Sequence, residues 1–255
     1  MKLTQTSSQQ KQTVDFFDSV AVEYDNKYRS KDAFYSYFFW QRIFEATADI
    51  DFHEKAILDV GCGTGQLYNF LNSRIKDIDY SGSDISQNML IQSKIPANCQ
   101  YAGNLYQLDF RGKLFDIVFM LGVSTYMTKE EWNANLSKIN SILKPGGKFI
   151  VSFTNKNSFD YKMRMLGQVP ARFFKKDNKV IGRKFVIHSY SLTEIEQNLD
   201  GFKIDQVKWL NQTIFPFNKI FPVLSVKIAD KINRNSKGRI LETMSSDFLV
   251  FTTKL

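Results

Sequence analysis

Two cysteines and two histidines in 255 residues leave little material for several kinds of chemistry. Cys62 and Cys99 have neither metal-ligand spacing nor the regular pattern of a disulfide framework, so no metal site is expected. No run approaches the ~18 consecutive apolar residues of a membrane span. The first residues, MKLTQTSSQQKQT, are polar and lack an apolar h-region. Residues 1–13 therefore read as a disordered leader, not a secretory signal. Together these absences point to a reducing cytoplasm, and no internal repeat is visible.

What is present is a chain rich enough to build one sizeable α/β domain over 1–255, with 43% apolar and 15% aromatic residues. The net charge of +8 is unevenly spread. Residues 156–190 hold nine Lys/Arg against two Asp, and residues 211–240 hold six against Asp230 alone. The remainder is mildly acidic, so the basic character sits in two segments.

Along the chain, aromatics at helical spacing over 14–50, among them Phe16, Phe17, Tyr24, Phe34, Phe38 and Trp40, predict an N-terminal helical cap (1–50). A strand–helix rhythm then fills 51–155. Strands are expected at 56–60, 78–84, 99–102, 115–121 and 148–154, and helices at 66–73, 86–94 and 129–143. Lys144-Pro145-Gly146-Gly147 reads as a stop and turn. A helix at 192–199 and strands at 202–210 and 247–253 follow, the last two separated by a loop-rich stretch. Such alternation predicts parallel βαβ units, with the last two strands pairing antiparallel at one sheet edge. Ligands in such sheets bind beyond the carboxyl ends of the strands.

The chemistry-bearing signal is the turn Asp59-Val60-Gly61-Cys62-Gly63-Thr64-Gly65, between a buried strand and a helix. Glycines there permit positive φ and let a ligand approach the backbone, and the free N–H groups of the helix start point at that ligand. The dinucleotide fingerprint needs a third glycine at the sixth position, which is Gln66 here, and the Walker G-K-[ST] is absent. Asp59, before the turn, would repel a pyrophosphate but attract a cation.

The run Ile57 to Gly65 resembles motif I of class I S-adenosylmethionine-dependent methyltransferases. The resemblance continues in order through Asp84-Ile85, Asn104-Leu105, Phe115-Asp116-Ile117-Val118-Phe119 and Leu143-Lys144-Pro145-Gly146-Gly147-Lys148. It implies a Rossmann-like, doubly wound α/β fold, with a mostly parallel seven-stranded sheet, an antiparallel edge strand and the helical cap. It implies S-adenosyl-L-methionine as cofactor, held by Asp59, Gly61, Cys62, Gly63, Gly65, Asp84, Ile85, Asn104, Leu105 and Leu121. In the family, Asp84 would take the ribose hydroxyls and Ile85 would flank the adenine; Asn104 stands where an Asp is common. The string Phe17-Asp18-Ser19-Val20-Ala21-Val22-Glu23-Tyr24-Asp25 is similar to the N-terminal segment of ubiquinone-biosynthesis-type small-molecule methyltransferases. It makes Tyr24, Tyr28 and Arg29 candidates for the methionine carboxylate or the substrate.

The methyl sulfonium is already activated, so the protein must mainly align the acceptor and exclude water. Candidate proton-handling groups are His188 and Tyr126; His53 precedes the first strand, away from the expected site. Met120-Leu121-Gly122-Val123-Ser124-Thr125-Tyr126 lacks the Asn/Asp-Pro-Pro-Tyr/Phe of many DNA and protein-glutamine N-methyltransferases. That favours a small-molecule acceptor, with Ser124, Thr125 and Tyr126 lining its pocket. The insertions 156–190 and 211–240 lie on the substrate side and fit lipidic, sugar-linked or phosphorylated acceptors, or an anionic membrane surface through 211–240 at the inner face. Phe173-Phe174-Lys175-Lys176 can bind single strands, but no nucleic-acid motif accompanies it, so nucleic acid is not expected. A monomer or homodimer is expected. Two alternatives stay open: an inactive binding module on this fold, and a peripheral membrane or RNA-associated methyltransferase.

Overall fold

The computed structural model describes residues 8–27, 33–165 and 186–255. Its centre is a seven-stranded sheet: β1 (Ala56–Val60), β2 (Asp79–Asp84), β3 (Gln100–Ala102), β4 (Phe115–Met120), β5 (Leu143–Thr154), β6 (Phe202–Leu210) and β7 (Asp247–Lys254). The order across the sheet is β3-β2-β1-β4-β5-β7-β6. The first five strands pair in parallel, and β7 runs antiparallel between β5 and β6. β6 is therefore parallel to β5 and holds the edge. Strand order reverses beside β1, where β1 pairs with both β2 and β4, and such reversals open the crevice that binds ligands.

The central strands are apolar at nearly every position because both faces are covered. Successive side chains go to opposite sides. Leu58, Val118, Phe149 and Val151 join one core with Trp132, Leu136 and Ile139 of α5 (Lys129–Ile142). Ile57, Ile117, Phe119 and Ile150 join the other. There they meet Ile43 and Ala46 of α2 (Ala33–Thr47) and Leu67 and Leu71 of α3 (Gln66–Asn72). Each fully buried Phe or Ile contributes roughly 1.5–3 kcal/mol relative to exposure.

Capping residues fix where the helices begin. Ser86 accepts from the Met89 N–H (3.1 Å) at the start of α4 (Gln87–Gln92). Thr128 with Glu131 closes a capping box on α5, and Ser191 with Glu194 does so on α6 (Leu192–Glu196). Leu143 pairs with Phe115 before an irregularity in the register, so β5 begins ahead of Lys144 to Gly147.

Two expectations need correction. Residues 8–13 are not a disordered leader: α1 spans Ser8–Tyr24 and packs against α4. Gln10 and Thr13 are buried despite being polar: Gln10 donates to Asn104 Oδ1, and the Thr13 hydroxyl donates to the Gln9 carbonyl within the helix. The stretch between β6 and β7 is not loop-rich either. It carries α7 (Phe217–Ile220), α8 (Pro222–Asn235) and α9 (Gly238–Met244), with α8 packed on α2. No helix of the described residues is long and apolar enough to cross a membrane.

Candidate functional site

Five residues of β1 deliver the chain to Gly61 at the carboxyl edge of the sheet, next to the end of β2. The N–H groups of Gly61 and Cys62 both donate to the Ser83 carbonyl (2.7 and 3.0 Å), tying the two strand ends together. Gly61 holds φ +69°, and a Cβ there would meet Val123 Cγ2 at 2.3 Å. Gly63 holds φ +53°, and its added Cβ would meet nothing nearer than Tyr24 Cε1, 3.9 Å away. One glycine is thus demanded by packing, and the other keeps a space open.

That space belongs to a cavity of about 850 Å³, counting its mouth. Its wall includes Gly61, Gly63, Asp84, Ile85, Asn104 and Leu105, and continues through Leu121, Gly122 and Tyr126. α1 closes it from above. Gln10 donates to Asn104 Oδ1, Phe17 packs edge-on against Tyr126 (5.2 Å between ring centres), and Tyr24 reaches Gly63. Gln66, the first residue of α3, donates to Asp25 beyond the helix (2.8 Å).

Asp84, at the end of β2, is one of two carboxylates in the cavity wall; the other, Glu131, accepts from the Thr128 N–H in the capping box of α5. The two Asp84 oxygens accept from the N–H groups of Gly63 and Ser86, each at 2.8 Å. The cap of α4 is supplied by Ser86, so Asp84 is not occupied as a cap. A carboxylate has about four lone-pair sites, so this one, fixed by two donors, still faces the cavity with acceptor capacity. Burial raises its pKa to about 6; the two N–H donors pull it down and the nearby Asp18 pushes it up.

Asp59 is buried two residues before the turn glycine and accepts from the Tyr80 hydroxyl at 2.6 Å. Burial drives its pKa to about 7, against the Tyr80 hydrogen bond. It does not cap the turn. Asp59, Cys62 and Gly65 lie outside the cavity wall. Cys62 is buried among apolar side chains and packs where a Cβ on Gly82 would come within 2.9 Å of its sulfur.

A residue that the sequence did not single out lies beside the cavity wall, though not in it. Arg42 of α2 lies so close to Gly122 that a Cβ there would meet Nη1 at 2.6 Å. It sits over the Phe38 ring (5.0 Å) and makes only a long ion pair to the buried Asp247 (3.8 Å). Its Nε is buried with no hydrogen-bond partner among the described residues. A buried charged donor without an acceptor is costly, so this guanidinium is a ready partner for an anion.

Comparison with known proteins agrees with this arrangement. Residues 57–147 match the methyltransferase-domain family. Over these residues the chain carries a methyltransferase domain. An uncharacterized protein of Methanocaldococcus jannaschii is 27% identical over 229 residues, 80% of this chain and 82% of its own length. A ubiquinone biosynthesis O-methyltransferase of Bradyrhizobium sp. is 30% identical over 115 residues, 44% of each chain. In fold, the chain is similar to the magnesium protoporphyrin IX methyltransferase of Synechocystis, solved with SAH bound. That likeness has a TM-score of 0.65 at 17% identity and covers 97% of this chain and 100% of that one.

The fold brings Tyr24, Gly61, Gly63, Asp84, Ile85, Asn104, Leu105, Leu121 and Tyr126 to one cavity. Tyr28, Arg29 and Phe173 to Lys176 lie outside the described residues. His188 is held by its backbone to Thr125, N–H to carbonyl at 2.8 Å, and its Nε2 lies 3.1 Å from the Gln9 amide nitrogen. It is absent from the cavity wall. Ser124 bonds the Ser152 carbonyl, and Thr125 bonds the His188 carbonyl, so both hydroxyls are spent on the protein. Arg42 and Gln10 could not be found from motif spacing. One sits in an aromatic helix that reads as packing, the other in a polar run that reads as leader.

Proposed function

We propose that this chain transfers the methyl group of S-adenosylmethionine to a small-molecule acceptor. The observation that carries the reading is the pairing of a fixed, partly unspent Asp84 carboxylate with the open space at Gly63, inside one roofed cavity. Asp84 takes the two ribose hydroxyls, and Ile85 and Leu105 sandwich the adenine. The methionine end lies toward Leu121 and Gly122, where Arg42 and Tyr24 receive its carboxylate. The sulfonium supplies the activated methyl group. The protein's part is to bind, align the acceptor and keep water out.

A small acceptor is favoured because α1 covers the cavity and the end of β4 carries no Asn/Asp-Pro-Pro-Tyr/Phe signature. A closed roof suits a molecule that can be engulfed rather than a long polymer threaded past the site. The test is a transfer assay with methyl-labelled cofactor and cell extract separated by size. Label in the low-molecular-weight fraction is the expected result. Label in protein or RNA alone would overturn the acceptor class. Cofactor binding without transfer to any fraction would return the chain to the reading of a binding module.

A further inference from the structure

The connection from β6 to β7 leaves the sheet at the same edge as the cofactor cavity, because β6 is parallel to β5. A short turn would join two antiparallel neighbours, yet three helices stand there. α8 places small residues inside: Ser225 and Ala229 are its buried positions, on the helix that packs against α2. Several large apolar side chains of α8 and of the two residues before it point out. Ile220, Phe221, Val223, Leu224 and Ile228 are between 42% and 62% exposed. Leu224 and Ile228 stand one helical turn apart, with Phe221 one turn before them, so they form a stripe. A contiguous exposed patch of this kind marks an interaction surface.

The rim of that stripe is basic. Lys227, Lys231 and Arg234 are exposed on α8, and Lys237 and Arg239 follow beside Ile240, itself exposed. Lys219 donates to the Tyr35 hydroxyl (2.8 Å) and lies over the Tyr35 ring, continuing the positive edge onto α2. The one acid of α8, Asp230, is only partly exposed.

We propose that this face docks on an anionic lipid surface, with the aliphatic stripe entering the headgroup–acyl boundary and the lysines reaching to the phosphates. A convex helix with aliphatic residues flanked by snorkelling lysines has the physical form of an interfacial element. Each basic side chain adds attraction to an anionic leaflet. A second copy is disfavoured by charge, since a two-fold contact would set Lys227, Lys231 and Arg234 against their own images. A single-stranded nucleic acid is disfavoured because the stripe holds one exposed aromatic, Phe221, among aliphatic side chains, whereas successive bases stack on several aromatics. Docked this way, the cavity edge faces the bilayer. The proposal does not depend on the acceptor class.

The experiment is co-sedimentation of the full chain with vesicles of equal parts phosphatidylglycerol and phosphatidylcholine, and with phosphatidylcholine alone. Wild type is expected to pellet with the first and not the second, and to be released as salt rises from about 0.1 to 0.5 M. Lys227→Glu/Lys231→Glu/Arg234→Glu is expected to weaken binding by at least about tenfold. Leu224→Ser/Ile228→Ser is expected to weaken it several-fold at low salt. Both variants alter exposed residues, and both should keep the wild-type melting temperature and calorimetric affinity for S-adenosylmethionine, which separates this test from the cofactor reading. Absence of wild-type binding, or binding that ignores the charge variant, overturns the proposal. So does a lipid-free dimer in analytical ultracentrifugation that the Leu224/Ile228 variant dissolves.

Discussion

The two halves of the carboxyl edge are built from different materials. Around β1 and β2 the site is made by backbone: positive-φ glycines, N–H groups on the Ser83 carbonyl and on Asp84, and one fixed carboxylate. Around β5, β6 and β7 the same edge is made by side chains from distant segments. Tyr37 bonds Gln212 (2.9 Å), Asn211 donates its N–H to Gln41 (2.9 Å), and Arg42 faces Asp247. Backbone geometry demands particular residues at fixed spacing. Side-chain networks can be built in many ways. The first half is therefore fixed in its residues and spacing, and the second is free to differ.

The contrast can be broken most severely at Gly61. Gly61→Ala puts a methyl group 2.3 Å from Val123 on a left-handed backbone. It should cost several kcal/mol of stability, at the upper end of ordinary substitutions, read as a large drop in melting temperature. Gly63→Ala is the sharper partner. Its Cβ has room, so the strain of about 1–2 kcal/mol should leave the fold intact while cofactor affinity falls about tenfold by calorimetry. Equal stability losses in the two variants would remove the distinction between a packing glycine and a cavity glycine.

A second break is by pH. Asp84 sits at about 6 when the cavity is empty of cofactor, and Asp59 at about 7. The ionised Asp84 is the better acceptor for two hydroxyls. Affinity for S-adenosylmethionine should thus hold above pH 6 and fall below it, by up to about tenfold per unit. Asp84→Asn should bind weakly with a flat profile; a wild-type profile that is flat from pH 5 to 8 would contradict the assignment. Asp59→Asn in the same titration separates the contribution of the second carboxylate.

A further effect concerns stability. Asp59 ionises near 3.8 when unfolded and near 7 when folded. Between those values the native state holds the extra proton, so rising pH costs stability across that window and no further above it. Relative to wild type, Asp59→Asn should therefore become progressively more stable from about pH 4 to 7 in thermal melts. A difference that does not change with pH would show that Asp59 is not held protonated by burial.

Much of the first half was legible in the sequence for the same reason that it is fixed. Apolar runs of five or six residues marked β1 and β4, Gly61 and Gly63 marked the turn, and Asp84 ended the next strand at the expected distance. The helix between β6 and β7 was less visible, because its buried positions are Ser225 and Ala229 and several of its large apolar residues face outward. Arg42 was hidden among Phe38, Phe39, Trp40 and Phe44, where periodicity reports packing and says nothing of a buried cation. α1 was misjudged because Gln9, Gln10 and Thr13 look solvated in sequence. The partners of Gln9 and Gln10, Asn104 and the backbone of Tyr126 among them, lie about a hundred residues away along the chain.

The central claim is that Asp84, in the backbone half, anchors the donor. Calorimetric titration of S-adenosylmethionine into wild type, Asp84→Ala and Leu224→Ser/Ile228→Ser tests it most directly. The account predicts one site in wild type, the same affinity in the Leu224/Ile228 variant, and a loss of at least about a hundredfold in Asp84→Ala, from two charge-assisted hydrogen bonds of about 1.5–3 kcal/mol each. No binding by wild type, or an Asp84→Ala titration that matches it, would contradict the account.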